Sequence, residues 1–573
     1  MKVILDKEIK IKFDGTLDFK QALSLIEEDL VHEDPNTRGY ANSQRFPKNF
    51  QNKSYSYSTI PNKNIISIPR GSGDTLRKVM KALGLVLPKG DLVDNTTKGH
   101  KISFKHKFEP RDNLQVQAID SFYLNKKKNL ILQGSCGFGK TYCALKILEK
   151  LSVSTLILVD ENLLLDQWIE NIEENCIFDL NKLGVVGKGK EDYLDKDIIV
   201  ASKDTLINRP EIIDYINQNI GFVIVDEAHV ASADIFQKVL KNLSPNRILG
   251  LTATPRRSDG LSYLMHEQIG QICFKADRQE LLRLGSVMNP ELRVLRVDRG
   301  NYFEKQFIKE KEKKVNALKS IEPDKDGKYK IGNRKFTKAT WEKRIKAANS
   351  LKSSDMDWQF LSNAVENDID AIKEISKIIF THYKAGDQSI CICRKIEFAK
   401  KYLDTLKKLG VKENEIALIL GETKSTERME LIEKAKNKEL KIIITSSILD
   451  KGISIDSANV LFLLYPSKNE NSTEQRIGRV SRTQKGKTNA YVYDFIYDHG
   501  MFFSQFWKSQ KVEYRECRFN VEKECTTYKP QLYDFINNLS SHYYFGETYS
   551  GNRLETQNYT VENLGTIDTI KVN

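Results

Sequence analysis

The stretch Gly134-Ser135-Cys136-Gly137-Phe138-Gly139-Lys140-Thr141 determines how the rest of the chain is interpreted. The apolar run 130–132 precedes it, and the segment 143–148, whose apolar residues recur at helical spacing, follows it. This order of strand, glycine-rich turn and helix is the context of a phosphate-binding loop. Its glycines let backbone N–H groups surround a phosphate, and the helix N-terminus adds a positive dipole end. We therefore predict a nucleotide site in which Lys140 reaches the β- and γ-phosphates and Thr141 places its hydroxyl on Mg²⁺.

Further along the chain, two carboxylates directly follow another apolar run. The tetrapeptide Asp226-Glu227-Ala228-His229 comes after the run 222–225. Parallel sheets place their chemistry at the carboxyl ends of strands, so both carboxylates are candidates for the same site. We expect Asp226 to hold Mg²⁺, directly or through water, and Glu227 to orient or deprotonate the attacking water. We expect His229 to couple parts of this site rather than to act as a base.

Apolar runs of strand length alternate with helical segments in two parts of the chain. Near-continuous apolar strands separated by helices imply parallel sheets covered on both faces, so the predicted fold class is α/β. We expect the C-terminal extension to pack on the second α/β domain. The predicted order is an N-terminal accessory domain (1–105), a first α/β domain (106–292), a basic insertion or linker (293–378), a second α/β domain (379–500) and a C-terminal extension (501–573).

The segment 305–352 carries most of the net positive charge of the chain. It contains sixteen Lys and Arg against six Asp and Glu, a surplus of ten, and the aromatic residues Tyr329, Phe336 and Trp341 lie among these charges. Basic residues interleaved with aromatics suit a nucleic-acid backbone and base stacking, with Arg334 and Lys335 as candidate contacts. A solvated, charged hairpin and helix would give the same composition, and the sequence leaves both interpretations open.

Composition limits the class of protein. With 573 residues the chain is too long for one core, and about three to five domains are expected. The net charge of +13 and the pI near 9.0 favour a polyanionic partner. The eight cysteines form no C-x-x-C pair, which is typical of reduced thiols. The first residues do not form a signal peptide, and no apolar run approaches membrane-spanning length. We therefore expect a soluble, intracellular protein with no membrane partner; the family resemblance described below implies the cytoplasm of a bacterial, phage-infected or virus-infected cell, with the nucleus left open.

Together, the loop at 134–141 and the carboxylates at 226–227 resemble those of superfamily 2 helicases and translocases of the DEAH-sequence kind. The resemblance covers residues 108 to 495. It implies that Arg111 and either Gln115 or Gln117 read adenine, because the gap between arginine and glutamine is one residue longer than usual. Further segments of the first domain that resemble family motifs are Gln167-Trp168, Ser202-Lys203 and Thr252-Ala253-Thr254-Pro255. The continuation at 256–260 and Ile269-Gly270 is similar to the branch that holds XPB, the phage UvsW helicase, the poxvirus transcript-release helicase and type III restriction motors.

In the second α/β domain, residues 475–482 (Gln-Arg-Ile-Gly-Arg-Val-Ser-Arg) resemble the complete motif VI of this superfamily. The resemblance implies that Gln475, Arg479 and Arg482 act on the nucleotide, with both arginines on one helix face as arginine fingers. The segment from Thr445 to Gly452 is similar to motif V. It departs from the family pattern, because Lys451 and Ser454 stand where the family usually has Glu and Asp.

The resemblance implies two RecA-like domains that hydrolyse ATP between them with Mg²⁺, while nucleic acid lies across both. The implied nucleic-acid contacts are Ser202, Thr252, Thr254 and Thr445, and nucleotide contacts extend to His229 and Gly452. The implied activity is unwinding of DNA, more than RNA, at forks, D-loops or branched junctions with 3′-to-5′ polarity. The alternative is a translocase that releases transcripts or displaces proteins, or the motor of a restriction or defence complex, without strand separation.

Overall fold

The chain divides after Met288 into two units. The computed structural model describes residues 1–33, 53–88, 90–229, 234–253, 261–331, 334–446, 455–465, 473–484, 486–497, 499–505 and four short C-terminal strands. Each unit contains a largely parallel sheet covered by helices, which confirms the predicted α/β class. Within the described residues, no helix is long and apolar enough to cross a membrane.

The N-terminal part of the first unit is a small sheet with one main covering helix. The strand order is β5-β6-β2-β1-β7. Helix α1 turns Phe19, Ala22, Ile26 and Leu30 into the core, at the three- and four-residue spacing of one helix face. The elements are β1 (Lys2–Leu5), β2 (Ile9–Lys12), α1 (Thr16–Leu30), β3 (Val31–Glu33), β4 (Lys53–Tyr55), β5 (Ser58–Ile60), β6 (Ile65–Ile68), α2 (Gly73–Ala82) and β7 (Leu92–Asp94).

The turn after β6 attaches this N-terminal sheet to the rest of the first unit. The buried Arg70 guanidinium donates to the Pro245 carbonyl at 2.5 Å, and burial lowers the pKa of Arg70 to about 10. The Gly71 N–H donates to the Glu267 carbonyl at 2.7 Å. A Cβ at Gly71 would lie 2.2 Å from the His266 carbonyl oxygen, so only glycine allows this close approach of two backbones.

The larger sheet of the first unit places the two sequence motifs at one edge. Its strand order is β13-β12-β14-β10-β15-β16-β9-β17. In this spatial order, every pair of neighbours from β12 onward is parallel, and only β13 is antiparallel to its neighbour among these strands. The loop at 134–141 follows β9 and Asp226 follows β15, so both lie at carboxyl ends of parallel strands. The elements are β8 (Lys105–His106), α3 (Asn113–Tyr123), β9 (Asn129–Gly134), α4 (Lys140–Leu151), β10 (Thr155–Val159), α5 (Asn162–Asn175), β11 (Cys176–Ile177), β12 (Leu183–Gly187), β13 (Lys190–Asp192), β14 (Ile198–Ser202), α6 (Lys203–Leu206), α7 (Pro210–Asn219), β15 (Phe222–Val225), α8 (Asp234–Asn242), β16 (Arg247–Thr252), α9 (Ser262–Gln268), β17 (Gln271–Ala276) and α10 (Arg278–Arg283).

The second unit begins with a strand that belongs to its main sheet. Strand β18 pairs in parallel with β25, in the strand order β22-β23-β21-β24-β25-β18-β26. Most of this strand falls in the segment 293–378, which we expected to be an insertion or linker. The elements are β18 (Glu291–Asp298), α11 (Tyr302–Lys319), β19 (Tyr329–Ile331), β20 (Arg334–Phe336), α12 (Lys338–Asn349), α13 (Trp358–Glu366), α14 (Ile369–Lys384), β21 (Ser389–Ile392), α15 (Ile396–Lys408), β22 (Ile416–Ile419), α16 (Ser425–Lys436), β23 (Ile442–Thr445), β24 (Val460–Leu463), α17 (Thr473–Val480), β25 (Tyr491–Tyr497), α18 (Gly500–Gln505), β26 (Tyr544–Glu547), β27 (Thr560–Val561), β28 (Gly565–Thr566) and β29 (Thr569–Lys571).

Residues 302–366, which we call the basic insertion, interrupt this fold between β18 and α14. They form α11, the hairpin β19–β20, α12 and α13. Trp341 is 2% exposed and stacks on Tyr329, with ring centroids 5.0 Å apart, while Phe336 packs beside it. Trp341 is therefore enclosed within the insertion, while Tyr329 and Phe336 stay partly exposed. Trp341 is thus not exposed for base stacking as expected, stacking on Tyr329 and Phe336 stays a prediction, and the charges lie on the surface.

Candidate active site

The loop at 134–141 wraps tightly between β9 and α4. Gly139 has φ of +92°, and a Cβ there would lie 2.6 Å from the Gln115 side-chain nitrogen, so glycine is required on both counts. The Lys140 ammonium folds back over the loop and donates to the Gly134 carbonyl at 3.0 Å. The N-terminus of the twelve-residue helix α4 opens onto the same loop. This loop can therefore offer backbone N–H groups, a helix N-terminus and one cation to a phosphate.

Gln115 ties the start of helix α3 to this loop. Its amide donates to the Phe138 carbonyl at 2.9 Å and accepts from the Arg111 N–H at 2.8 Å. The Arg111 guanidinium lies nearby and donates to the Gly137 carbonyl at 3.3 Å. Gln117 is exposed on the other side of the helix. Of the two glutamines left open by the sequence, only Gln115 contacts the phosphate loop, which favours it as the adenine-reading residue.

Asp226 occupies a buried position at the end of β15. One carboxylate oxygen accepts from the Trp168 indole N–H at 2.8 Å, and the other accepts from the Glu227 N–H at 2.9 Å. Burial, together with the charge of Glu227, raises the pKa of Asp226 to about 6. Trp168 belongs to the segment 167–168 that resembles a family motif, but nothing in the sequence indicates that its ring orients this carboxylate.

These residues fit a magnesium ion. Mg²⁺ prefers oxygen ligands, and a nearby divalent cation favours the ionised form of a buried carboxylate whose pKa is otherwise raised. Asp226 provides such a carboxylate, oriented by two hydrogen bonds, and Thr141 provides a hydroxyl in the first turn of α4. Asp226 and Thr141 are therefore the residues that would hold the ion.

Glu227 stands in a backbone conformation that is rare for its residue type. Its φ is +48°, in the left-handed region, and such strain is concentrated at functional sites. Its carboxylate lies 3.2 Å from the His229 ring, and the same ring nitrogen lies 3.4 Å from the Thr252 hydroxyl. His229 thus lies between the carboxylate after β15 and the end of the neighbouring strand β16, which agrees with a coupling role.

Three hydroxyls expected to contact nucleic acid are buried instead. Ser202 is 2% exposed and its oxygen accepts from the Thr205 N–H, where it caps α6. Thr252 and Thr445 are 0% exposed, and the Thr445 hydroxyl donates to the Ser446 carbonyl at 2.9 Å. In this conformation the three hydroxyls are buried, and their contact with nucleic acid stays a prediction. Thr254, Gly452 and the Gln475 side chain lie outside the described residues.

In the second unit, helix α17 and the residues just after it carry the arginines of the motif at 475–482. Arg476 and Arg479 are 9% and 8% exposed. Arg482, just beyond the helix, donates to Asp456 at 3.0 Å, and both side chains are partly exposed. Ser454 stands where motif V usually has a carboxylate. Asp456, two residues later, supplies a carboxylate in contact with motif VI, and only the folded structure shows this contact.

Each of the two units contains a stretch that matches a known protein family. Residues 107–257 match the family model described as the type III restriction enzyme res subunit, and residues 370–484 match the helicase conserved C-terminal domain. Both matches agree with the superfamily 2 resemblance of the two α/β domains. The chain belongs to the superfamily 2 helicases and translocases, and its aligned relatives include XPB-type proteins.

Several curated relatives align with most of the chain. A candidate helicase of the Sulfolobus islandicus filamentous virus, helicase 22, is 28% identical over 72% of this chain and 68% of its own length. The DNA 3′-5′ translocase XPB2 of Sulfurisphaera tokodaii is 26% identical over 66% of this chain and 80% of its own. A candidate ATP-dependent RNA helicase of Acanthamoeba polyphaga mimivirus, L396, is 24% identical over 69% of this chain and 65% of its own.

Proposed function

We propose that the chain is an ATP-dependent DNA helicase that acts on forks, D-loops or branched junctions with 3′-to-5′ polarity. The observation that carries the proposal is the line of contacts from Trp168 and Asp226 through Glu227 and His229 to Thr252. This line joins the carboxylates of a hydrolysis site to the strand β16 that leads into a nucleic-acid motif of the superfamily. Hydrolysis at the carboxylates can thereby change the position of the residues that follow β16.

Each residue of the site has a defined task in this proposal. Lys140 and the loop N–H groups bind the phosphates, and Glu227 orients the attacking water and takes its proton. Arg479 and Arg482 of the second α/β domain stabilise the charge that develops on the transferred phosphoryl group. When bound by Asp226 and Thr141, Mg²⁺ would neutralise charge on the β- and γ-phosphate oxygens.

Binding of nucleic acid is assigned to the surface charges of the basic insertion. Lys330 and Arg334 are exposed on the hairpin β19–β20, and Lys338 and Lys343 are exposed on α12. Lys335, also exposed, is partly neutralised by Asp324 at 3.1 Å. These cations would bind the phosphates of the nucleic-acid backbone. Phosphate contacts carry little sequence information, so the expected binding is non-specific.

DNA is favoured over RNA because the aligned archaeal XPB2 is named a DNA 3′-5′ translocase, while the mimivirus relative keeps RNA open. The test is a panel of a fork, a four-way junction, a DNA–RNA hybrid and a plain duplex, each assayed for ATPase stimulation and strand separation. We expect separation of the fork or the junction from a 3′ single-stranded tail. If nucleic acid stimulates ATP hydrolysis and no substrate is separated, the translocase alternative is favoured instead.

Removal of four exposed charges from the insertion is expected to weaken nucleic-acid binding and flatten its salt dependence. The variant replaces Lys330, Arg334, Lys338 and Lys343 by Gln. For every phosphate that the variant no longer binds, the slope of log K against log salt should fall by about 0.9 on duplex DNA. The aromatic core at Trp341 is untouched, so the fold should be retained. The measurement is fluorescence anisotropy of labelled DNA across a salt series.

A matched control removes the same number of charges from the helices α14 and α15. Lys373, Lys377, Lys400 and Lys408 are exposed there and are likewise replaced by Gln. The control should keep the wild-type slope within error. Equal slopes in both variants and the wild type would identify the insertion as a solvated charged surface.

A further inference from the structure

The base of the basic insertion is closed by a buried ion pair. Arg299 stands just after β18, where the chain leaves the second sheet, and Asp368 stands just before α14, where it returns. The guanidinium makes two hydrogen bonds to the carboxylate: Nη2 donates to one Asp368 oxygen at 2.9 Å, and Nε donates to the other. Arg299 is 9% exposed and Asp368 is 2% exposed. The pair therefore fixes the point where the chain leaves the second sheet relative to the point where it returns.

Asp368 has a second partner that ties this pair to the motor fold. The oxygen that accepts from Nη2 also accepts from the Ala371 N–H at 3.1 Å and so caps helix α14. The Arg299 guanidinium lies over the Tyr302 ring, 4.5 Å from its centroid, at the first residue of α11. The ion pair is thus in contact with the first helix of the insertion and with the first helix after it.

Aromatic side chains hold both ends of the insertion against strand β25 and helix α18. Phe303 of α11 contacts Tyr497, the final residue of β25, and also contacts Phe502 of α18. Trp358, the first residue of α13, packs edge-on against the same Phe502 ring at 5.3 Å. Phe303 and Phe502 are each 2% exposed, so these contacts form a closed core.

Helix α13 also contacts two loops at the carboxyl ends of parallel strands. The Tyr465 hydroxyl, after β24, donates to Ser362 at 2.8 Å and accepts from Arg394 at 2.5 Å. Lys395, after β21, donates to Glu366 at 2.5 Å. In α/β sheets ligands bind at the carboxyl ends of the strands, and α13 lies at that edge of the sheet of the second domain.

The contacts continue outward to the charged surface. Phe360 of α13 packs against Phe307 of α11 with ring centroids 5.3 Å apart. Lys311 of α11 donates to the Leu351 carbonyl, after α12, at 2.9 Å. Trp341 of α12 then packs under the hairpin that carries Lys330 and Arg334. Packed side chains thus connect the carboxyl edge of the sheet to the proposed phosphate-binding charges.

We propose that Arg299 and Asp368 are positioning residues that make the basic insertion and the second α/β domain one mechanical body. The inference rests on the proposed function, because it assigns to this pair the transfer of motion from the ATP cycle to bound nucleic acid. With this pair and the Tyr465 link of α13 both intact, phosphates held by the insertion move with the second domain during each cycle. When either contact is lost, the insertion rotates on its two connections, and hydrolysis continues with less movement of the nucleic acid.

The test compares movement per ATP in Arg299→Met and Asp368→Asn with the wild type. Met keeps an unbranched apolar stem without the charged guanidinium, and Asn keeps an acceptor for the Ala371 N–H. We expect kcat for nucleic-acid-stimulated ATP hydrolysis to stay within about two-fold, while strand separated, or triplex displaced, per ATP falls about five-fold. The KM for nucleic acid should change less than the distance moved, since the exposed charges are retained.

Two further variants separate positioning from folding. Tyr465→Phe removes the hydroxyl that links α13 to Arg394 without burying a charge, and we expect the same loss of movement per ATP with an unchanged melting temperature. Lys377→Met breaks an exposed pair with Glu374 on the same helix α14 and should leave both readouts unchanged. A wild-type protein that neither hydrolyses ATP with nucleic acid nor moves along it would overturn the proposed function. A wild type that moves, with Tyr465→Phe and a folded Arg299→Met moving equally far per ATP, would overturn this inference alone.

Discussion

Glu227→Gln is expected to reduce ATP hydrolysis by about 10²–10⁴-fold while leaving nucleotide binding intact. The amide has the size of the carboxylate but cannot take a proton from water. Because Lys140 and the phosphate loop are unchanged, the variant should still bind ATP and should hold it without turnover. The measurements are phosphate release under saturating nucleic acid and binding of a fluorescent ATP analogue.

The surroundings of Glu227 explain why the expected loss is catalytic and not structural. The residue has a left-handed φ of +48°, its N–H donates to Asp226, and its partly buried carboxylate lies 3.2 Å from the His229 ring. Gln adopts the same backbone conformation at a similar energy. We therefore expect an unchanged melting temperature alongside the loss of turnover.

Two companion substitutions complete this test. Lys140→Ala should lose hydrolysis together with tight nucleotide binding, since the cation that folds over the loop is removed. Glu211→Gln changes an exposed carboxylate of α7 in the same unit and should behave as wild type. Turnover of Glu227→Gln near the wild-type rate would remove this residue from the catalytic assignment.

The parts of the site that the sequence predicted are those encoded in short segments. A glycine-rich turn between β9 and α4 has few backbone solutions, so the position of Lys140 follows from local sequence. The two carboxylates at 226–227 follow a strand, and parallel strands end at one edge, which brings them to the side of the sheet where the loop lies.

Contacts between distant segments could not be predicted in this way. Strand β18 pairs with β25, which lies far along the chain, and the residues 291–298 do not indicate which strand they pair with. Tyr329 and Trp341 are aromatic residues among charges, and composition does not reveal that the rings stack on each other. Thr252 matches a motif associated with nucleic acid, yet its burial depends on packing between strands and on His229. Local geometry was therefore predictable, and partner choice was not.

Arg482→Ala is expected to lower kcat for ATP hydrolysis by about 10³-fold, with little change in nucleotide affinity. An arginine finger acts on charge that develops only in the transition state, so its loss affects turnover more than ground-state binding. Arg482→Lys should rescue little, because an ammonium cannot present the planar fork of donors to phosphate oxygens. Steady-state kinetics and nucleotide binding, measured on the same preparations, separate these effects.

The Asp456 contact supplies a matched control for this prediction. Asp456→Asn keeps the size of the partner while weakening its 3.0 Å ion pair with Arg482, and both side chains are partly exposed. A partly exposed ion pair contributes little stability, so the fold should be retained. We expect Asp456→Asn to change kcat far less than Arg482→Ala does. An equal loss in both would indicate that Arg482 supports the motif V segment and does not act on the phosphate.

Mixing two inactive variants tests whether the arginine and the phosphate loop of one chain serve the same ATP. Lys140→Ala retains Arg482, and Arg482→Ala retains Lys140, so each protein carries the half that the other lacks. If the second domain completes the site of its own chain, no combination of the two proteins contains an intact site, and the mixture stays as inactive as its components. Recovery of hydrolysis in the mixture would show that the arginine acts on a neighbouring chain, because only an intermolecular site can then contain both residues.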